Sequence, residues 1–67
     1  MERFAKRLRE LRDEKGLSLS SLANTIGVTG AILSMYENCK RAPTLPILLE
    51  LADFFGVSLD YLAGRED

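Results

Sequence analysis

The sequence has no histidine and only one cysteine, Cys39, among its 67 residues. Without histidine it lacks the usual general base for chemistry near neutral pH. One cysteine cannot build a metal site alone or form an internal disulfide framework. No glycine-rich phosphate loop is present, and the acidic residues show no metal-ligand spacing. We therefore expect no enzyme, no metal centre and no cofactor, and the single cysteine indicates the cytoplasm.

Long apolar runs are also missing. No stretch approaches the roughly 18 residues needed to span a bilayer, and residues 1–11 alternate charged with apolar side chains, unlike a signal peptide. We expect no membrane partner, and no small-molecule ligand is evident. At 46% hydrophobic and 28% charged residues, the composition is that of a globular protein. We predict one domain over residues 1–64 and a frayed tail over 65–67.

Charge is unevenly distributed along the chain, although its net value is only −1. Residues 1–41 carry eight Lys and Arg against five Asp and Glu, a net charge of +3. Residues 42–67 carry one Arg against five acids, a net charge of −4. The N-terminal part is therefore the part suited to phosphate groups.

The stretch from Ser18 to Asn38 reads as two short helices joined by a tight turn. Ser18 is a good N-cap for the first helix, and Gly27 ends it where a positive φ is needed. Thr29 caps the second helix. Two short helices joined in this way form a helix-turn-helix, whose second helix can enter a DNA major groove.

The remaining pattern predicts three more helices, and so an all-α, compact five-helix bundle. Helix one is expected over Glu2–Lys15, with a stripe of Phe4, Leu8 and Leu11 facing the core. Helix four follows Thr44, and a short fifth helix follows Ser58 and continues through Leu62. The expected core face of helix four is Leu45, Leu48, Leu51, Ala52 and Phe55.

Arg12 and Glu37 are both unusual for their positions. Arg12 follows the apolar stripe of helix one, and Glu37 is an acid in the last turn of its helix, where the macrodipole disfavours it. An ion pair between them would explain both and would tie helix one to helix three.

Helices four and five carry more apolar residues than one face needs, which indicates an association surface. One short reading helix gives too few contacts for tight DNA binding, so we expect a homodimer. The candidate contact residues are Phe54, Leu59, Tyr61 and Leu62.

These features together resemble the lambda-repressor-like domains, the Cro and phage-repressor type of helix-turn-helix. The shared elements, in chain order, are Arg7-Leu8-Arg9-Glu10-Leu11-Arg12, Lys15-Gly16-Leu17-Ser18, Leu22-Ala23, Gly27-Val28-Thr29, Leu33-Ser34, Tyr36-Glu37, Lys40-Arg41, Pro43, and Leu51-Ala52 through Gly56-Val57-Ser58-Leu59-Asp60-Tyr61-Leu62. The resemblance implies a small transcriptional regulator that binds double-stranded DNA. A pairing of Arg12 with Glu37 is common in this family. The family often has a glycine where this chain has Cys39, at a left-handed turn.

The resemblance also implies which residues meet DNA. The base-facing residues would be Thr29, Gly30, Ala31, Ser34 and Met35. The residues near phosphates would be Arg7, Ser18, Leu19, Ser20, Ile32, Asn38, Lys40 and Arg41. No Arg, Lys, Gln or Asn lies between Thr29 and Met35, so readout would rest on phosphates, DNA shape and thymine methyl groups. The alternative is a protein–protein module, such as an antirepressor or adaptor, that has lost base-specific readout. Cys39 would be either a small filler at a helix end or a thiol that forms an intermolecular disulfide or acts as a redox sensor.

Overall fold

The computed structural model describes residues 2–66, and this range contains five α-helices and no strand. Their bounds are α1 Glu2–Glu14, α2 Leu19–Ile26, α3 Gly30–Glu37, α4 Leu45–Phe55 and α5 Leu59–Ala63. The predicted all-α, five-helix architecture is confirmed, and α1 ends one residue earlier than expected. None of the described helices is long and apolar enough to cross a membrane.

Hydroxyl side chains begin four of the helices. Ser18, Thr29, Thr44 and Ser58 have extended backbones, and each accepts a hydrogen bond from the N–H three residues later. These bonds satisfy amides that have no partner within the helix. Gly27 ends α2 with a φ of +88°, a conformation that disfavours any residue with a Cβ atom. The predicted N-caps of α2 and α3 and the predicted turn at Gly27 are thus present in the structure.

The core lies where α1 meets α3 and α5, and where α4 closes against α2 and α5. Its fully buried large side chains are Phe4, Leu8, Leu22, Leu33, Leu51 and Leu62. Tyr36 is also buried and packs edge-on against Phe4, with ring centroids 6.0 Å apart. Such aromatic pairs contribute about 0.5–1.5 kcal/mol beyond the burial of their area. The underside of α3 is therefore tied to α1 by an apolar contact.

Two predictions for the apolar residues of α4 and α5 are wrong. Leu62 was a candidate for the dimer surface, but its side chain is fully buried inside the monomer. Leu45 was expected in the core, but it is 59% exposed, because α4 meets the core from Ile47 onward and its first residue lies outside that contact. The other dimer candidates, Phe54, Leu59 and Tyr61, are half-buried.

The end of α5 is held against α1. Gly64 has a φ of +85°, and a Cβ atom there would lie 2.6 Å from Cβ of Arg3, so this close approach requires glycine. Arg3 donates a hydrogen bond to the carbonyl of Gly64, and the N–H of Arg65 donates to the carbonyl of Asp60. Residues 65 and 66 of the predicted tail therefore form hydrogen bonds, since the carbonyl of Glu66 also accepts one from Arg7. Asp67 lies outside the described residues.

Candidate nucleic-acid interface

The first turns of α2 and α3 lie side by side. A Cβ atom built on Gly30 would be 3.8 Å from Oγ of Ser20, an ordinary van der Waals distance, so the two turns are in direct contact. The caps occupy the N–H groups of Ser21 and Ile32. The N–H groups of the two residues that begin each helix have no acceptor within the helix. Two sets of free amide donors, at the positive ends of two helix dipoles, therefore lie close together.

Several predicted phosphate residues belong to these two helix ends. Ser18 and Ser20 are exposed, and Leu19 packs its side chain on the core while its amide begins α2. Ile32 does not fit the predicted role, because its amide donates to Oγ1 of Thr29 at 3.2 Å and its side chain packs on the core.

The predicted reading face of α3 lies at the surface. Thr29, Ala31 and Met35 are exposed, and Gly30 and Ser34 are half-buried. Met35 is 38% exposed although it is large and apolar. The structure therefore presents the residues predicted to face bases as one side of a short helix, opposite the buried side that carries Leu33 and Tyr36.

A positively charged loop follows α3. Asn38 donates its side-chain amide to the carbonyl of Ser34 at 2.7 Å, which satisfies the end of the helix. Cys39 then adopts a left-handed φ of +58°, as expected for a position that often holds glycine. The N–H of Lys40 donates back to the carbonyl of Met35 at 2.8 Å. This reversal leaves Lys40 and Arg41 exposed directly beside the end of α3.

The expected ion pair between Arg12 and Glu37 is present and is bidentate. Nε and Nη2 of Arg12 donate to the two carboxylate oxygens of Glu37 at 2.7 and 3.0 Å. Nη1 of Arg12 donates to the carbonyl of Leu17 at 2.8 Å, in the turn that precedes α2. One guanidinium thus connects α1, the start of the helix-turn-helix and the end of α3. The hydrogen bond to Glu37 raises the pKa of Arg12 above its ordinary value, while burial acts in the opposite direction.

Arg9 also binds Glu37, a contact that the sequence analysis missed. Its Nε lies 3.3 Å from Oε1 of Glu37, and its side chain is about half exposed. Arg9 precedes Arg12 by three residues on a helix, so both lie on one side of α1. That spacing is the signal that could have predicted a two-arginine site for the acid.

Arg7, predicted at a phosphate, has its guanidinium on α5. Nη1 donates to the carbonyls of Tyr61 and Glu66, and the guanidinium carbon lies 4.2 Å from the centre of the Tyr61 ring. A cation suits this position, because the carbonyl end of a helix is negative. These contacts give Arg7 a structural role at the joint between α1 and α5.

Comparison with known proteins identifies the family. A family model described as helix-turn-helix matches residues 8–62, which is most of the chain. The chain belongs to the lambda-repressor-like helix-turn-helix family. Over an alignment of 60 residues it is 42% identical to the HTH-type transcriptional regulator AnsR of Bacillus subtilis. The alignment covers 90% of this chain and 52% of that regulator. The chain thus spans about half the length of this relative.

Two solved structures have the same fold as this helix-turn-helix domain. The restriction-modification controller protein C.AhdI from Aeromonas hydrophila is 34% identical, with a TM-score of 0.82 over 91% of this chain and 92% of that one. The P22 c2 repressor, solved in complex with a synthetic operator, has a TM-score of 0.89 over 98% of this chain and 100% of that one. It is only 24% identical, so it supports the fold of the domain alone. The curated relatives AnsR and ImmR of Bacillus subtilis are both named as HTH-type transcriptional regulators.

Proposed function

We propose that this helix-turn-helix domain is the DNA-binding part of a transcriptional regulator, with α3 inserted in the major groove. The proposal is carried by three features grouped on one surface. They are the exposed side of α3, the paired amide ends of α2 and α3, and the cations of the loop that follows α3. A groove-binding helix needs phosphate contacts on both sides of it. The paired helix ends would bind one strand, and Lys40 and Arg41 would bind the other.

The comparisons support this proposal in two ways. AnsR is named as a transcriptional regulator, and its similarity covers nearly all of this chain. The P22 c2 repressor, whose fold this domain shares, was solved bound to a synthetic operator. The cytoplasm is the compartment that fits a DNA-binding regulator with a single cysteine, and we propose it on that ground.

A homodimer is part of the proposal. A helix of eight residues reaches few base pairs, and pairing two copies doubles the contacts and sets a half-site spacing. With Leu62 excluded, Phe54, Leu59 and Tyr61 remain the candidates for the contact between copies. Leu45 and Leu49 on α4 join them, because both are large, apolar and exposed.

A titration against a mixed pool of DNA duplexes at several salt concentrations tests the proposal. The logarithm of the binding constant should fall linearly with the logarithm of salt concentration, with a slope of about −0.9 for each neutralised phosphate. Absence of binding even at low salt would refute the DNA-binding function. It would favour the protein–protein alternative, with the same side of α3 as the contact surface.

A further inference from the structure

The polar groups on the exposed side of α3 are engaged within the protein. Oγ1 of Thr29 accepts the hydrogen bond from the amide of Ile32 that begins the helix. Oγ of Ser34 lies 3.3 Å from the side-chain nitrogen of Asn38, which donates to it. Each hydroxyl keeps one hydrogen to donate. Neither can make the paired hydrogen bonds with which Arg, Asn or Gln distinguish one base from another.

The groups that remain on this surface are apolar. They are the methyl groups of Thr29 and Ala31 and the side chain of Met35. Within residues 2–66, the exposed large apolar side chains are Met35, Leu45 and Leu49, and of these only Met35 lies on α3. In the major groove the apolar feature that such a surface can contact is the methyl group on C5 of a pyrimidine.

The exocyclic group beside that methyl would not be read. Thymine presents an acceptor at O4 and cytosine a donor at N4, and a serine or threonine hydroxyl can bond to either. Thymine and 5-methylcytosine carry the same methyl group at the same place in the groove. A surface that contacts the methyl group and cannot test the neighbouring atom therefore treats the two bases alike.

We propose that α3 recognises the C5-methyl groups of pyrimidines, accepting thymine and 5-methylcytosine in the same positions, with Met35 as the principal contact. This inference rests on the proposed DNA-binding function and defines its ligand more closely. It makes the domain sensitive to cytosine methylation, since adding one methyl group to a cytosine would create a contact that the unmodified base lacks.

Four versions of one duplex test the inference. The most enriched duplex from a randomised pool is synthesised with thymine, with deoxyuridine in place of thymine, with cytosine–guanine pairs at those positions, and with 5-methylcytosine–guanine pairs. Deoxyuridine should weaken binding about four-fold per contacted methyl group, the factor expected from burying one such group. Cytosine should also bind weakly, and 5-methylcytosine should restore most of the lost affinity.

Substitution of Met35 assigns the effect to the helix. In Met35→Ala the ratio of affinities for the thymine and deoxyuridine duplexes should fall towards one. Leu45→Ala is the control, because it removes another exposed apolar side chain, one that lies outside α3, and it should leave that ratio unchanged. Circular dichroism of both variants checks that they fold.

Other results would overturn the inference. Equal binding of the thymine and deoxyuridine duplexes would exclude methyl recognition while leaving DNA binding intact. Equal binding of the cytosine and 5-methylcytosine duplexes, with thymine still preferred to deoxyuridine, would refute the equivalence of thymine and 5-methylcytosine and would point to readout of the exocyclic group. A ratio that stays the same in Met35→Ala would place the methyl contact elsewhere. No binding to any version at low salt would refute both this inference and the proposed function.

Discussion

The carboxylate of Glu37 is almost completely buried, and it accepts hydrogen bonds from Nε and Nη2 of Arg12. An acid at the C-terminal end of a helix opposes the helix dipole, and burial adds a desolvation penalty. Arg12 offsets both effects, and in doing so it connects α3 to α1. The position of α3 therefore depends on this ion pair as well as on the packing of Tyr36 against Phe4.

Removal of the acid should be strongly destabilising. We expect Glu37→Gln to lower the free energy of unfolding by about 3 kcal/mol, because it leaves the largely buried Arg12 with only the exposed Asp13, 3.7 Å from Nη1, as a countercharge. Urea unfolding measures the change. Arg9→Ala is the control, since its half-exposed pair with the same carboxylate should contribute no more than about 1 kcal/mol. A loss below about 0.5 kcal/mol for Glu37→Gln, as for an ordinary surface change, would mean that the pair does not hold α3.

The raised pKa of Arg12 determines how this contribution depends on alkaline pH. A group whose pKa is higher in the folded than in the unfolded state stabilises the protein fully below its unfolded pKa. That stabilisation is lost only as the pH rises through the folded pKa, which lies above the ordinary value for arginine. The guanidinium therefore stays charged throughout the range in which the domain would be assayed.

The left-handed backbone at Cys39 predicts a stabilising substitution. Cys39→Gly should raise the free energy of unfolding by about 0.5–1 kcal/mol, because the relief of about 1–2 kcal/mol of backbone strain outweighs the extra conformational entropy that glycine gives to the unfolded chain. Chemical denaturation under reducing conditions measures the difference. Cys39→Ala keeps the strained φ and removes the thiol, so it should behave like the parent. Equal stabilisation by both variants would instead point to the thiol.

The buried position of Leu62 separates the core of the monomer from any contact between copies. Leu62→Ala should cost about 2–5 kcal/mol, as for other fully buried leucines. Leu49→Ala, at an exposed position one helix earlier, should stay within about 0.5 kcal/mol. Unfolding is measured at two protein concentrations, because only stability that depends on association changes with concentration. A loss in Leu62→Ala that disappears at high concentration would restore Leu62 to the dimer surface.

The sequence predicts local features of this domain better than contacts at its edges. The hydroxyl caps and Gly27 act within a few residues, so their pattern locates the helices. Arg12 and Glu37 are 25 residues apart, but each breaks a local rule, and that shared anomaly allowed the pair to be predicted.

The helical period of apolar residues wrongly placed Leu45 of α4 in the core. Leu45 lies on the same stripe as Leu48 and Ala52, but only packing in three dimensions decides that Leu48 contacts the core and Leu45 does not. The contact of Arg7 with the end of α5 was missed for a related reason. A cation on a solvated helix face suits a phosphate and a helix C-terminus equally well, and the sequence does not reveal that α5 ends beside it.

The cations of the proposed interface can be told apart by the salt dependence of DNA binding. Lys40→Ala and Arg41→Ala should each weaken binding to all sequences about equally and make the salt slope shallower by about 0.9. Arg7→Ala is the matched control, because it also removes one positive charge. The guanidinium that it removes binds the carbonyls of Tyr61 and Glu66. The variant should lower the free energy of unfolding and leave the slope unchanged. A shallower slope in Arg7→Ala would mean that this guanidinium leaves α5 for a phosphate in the complex, and the interface would then extend onto α1.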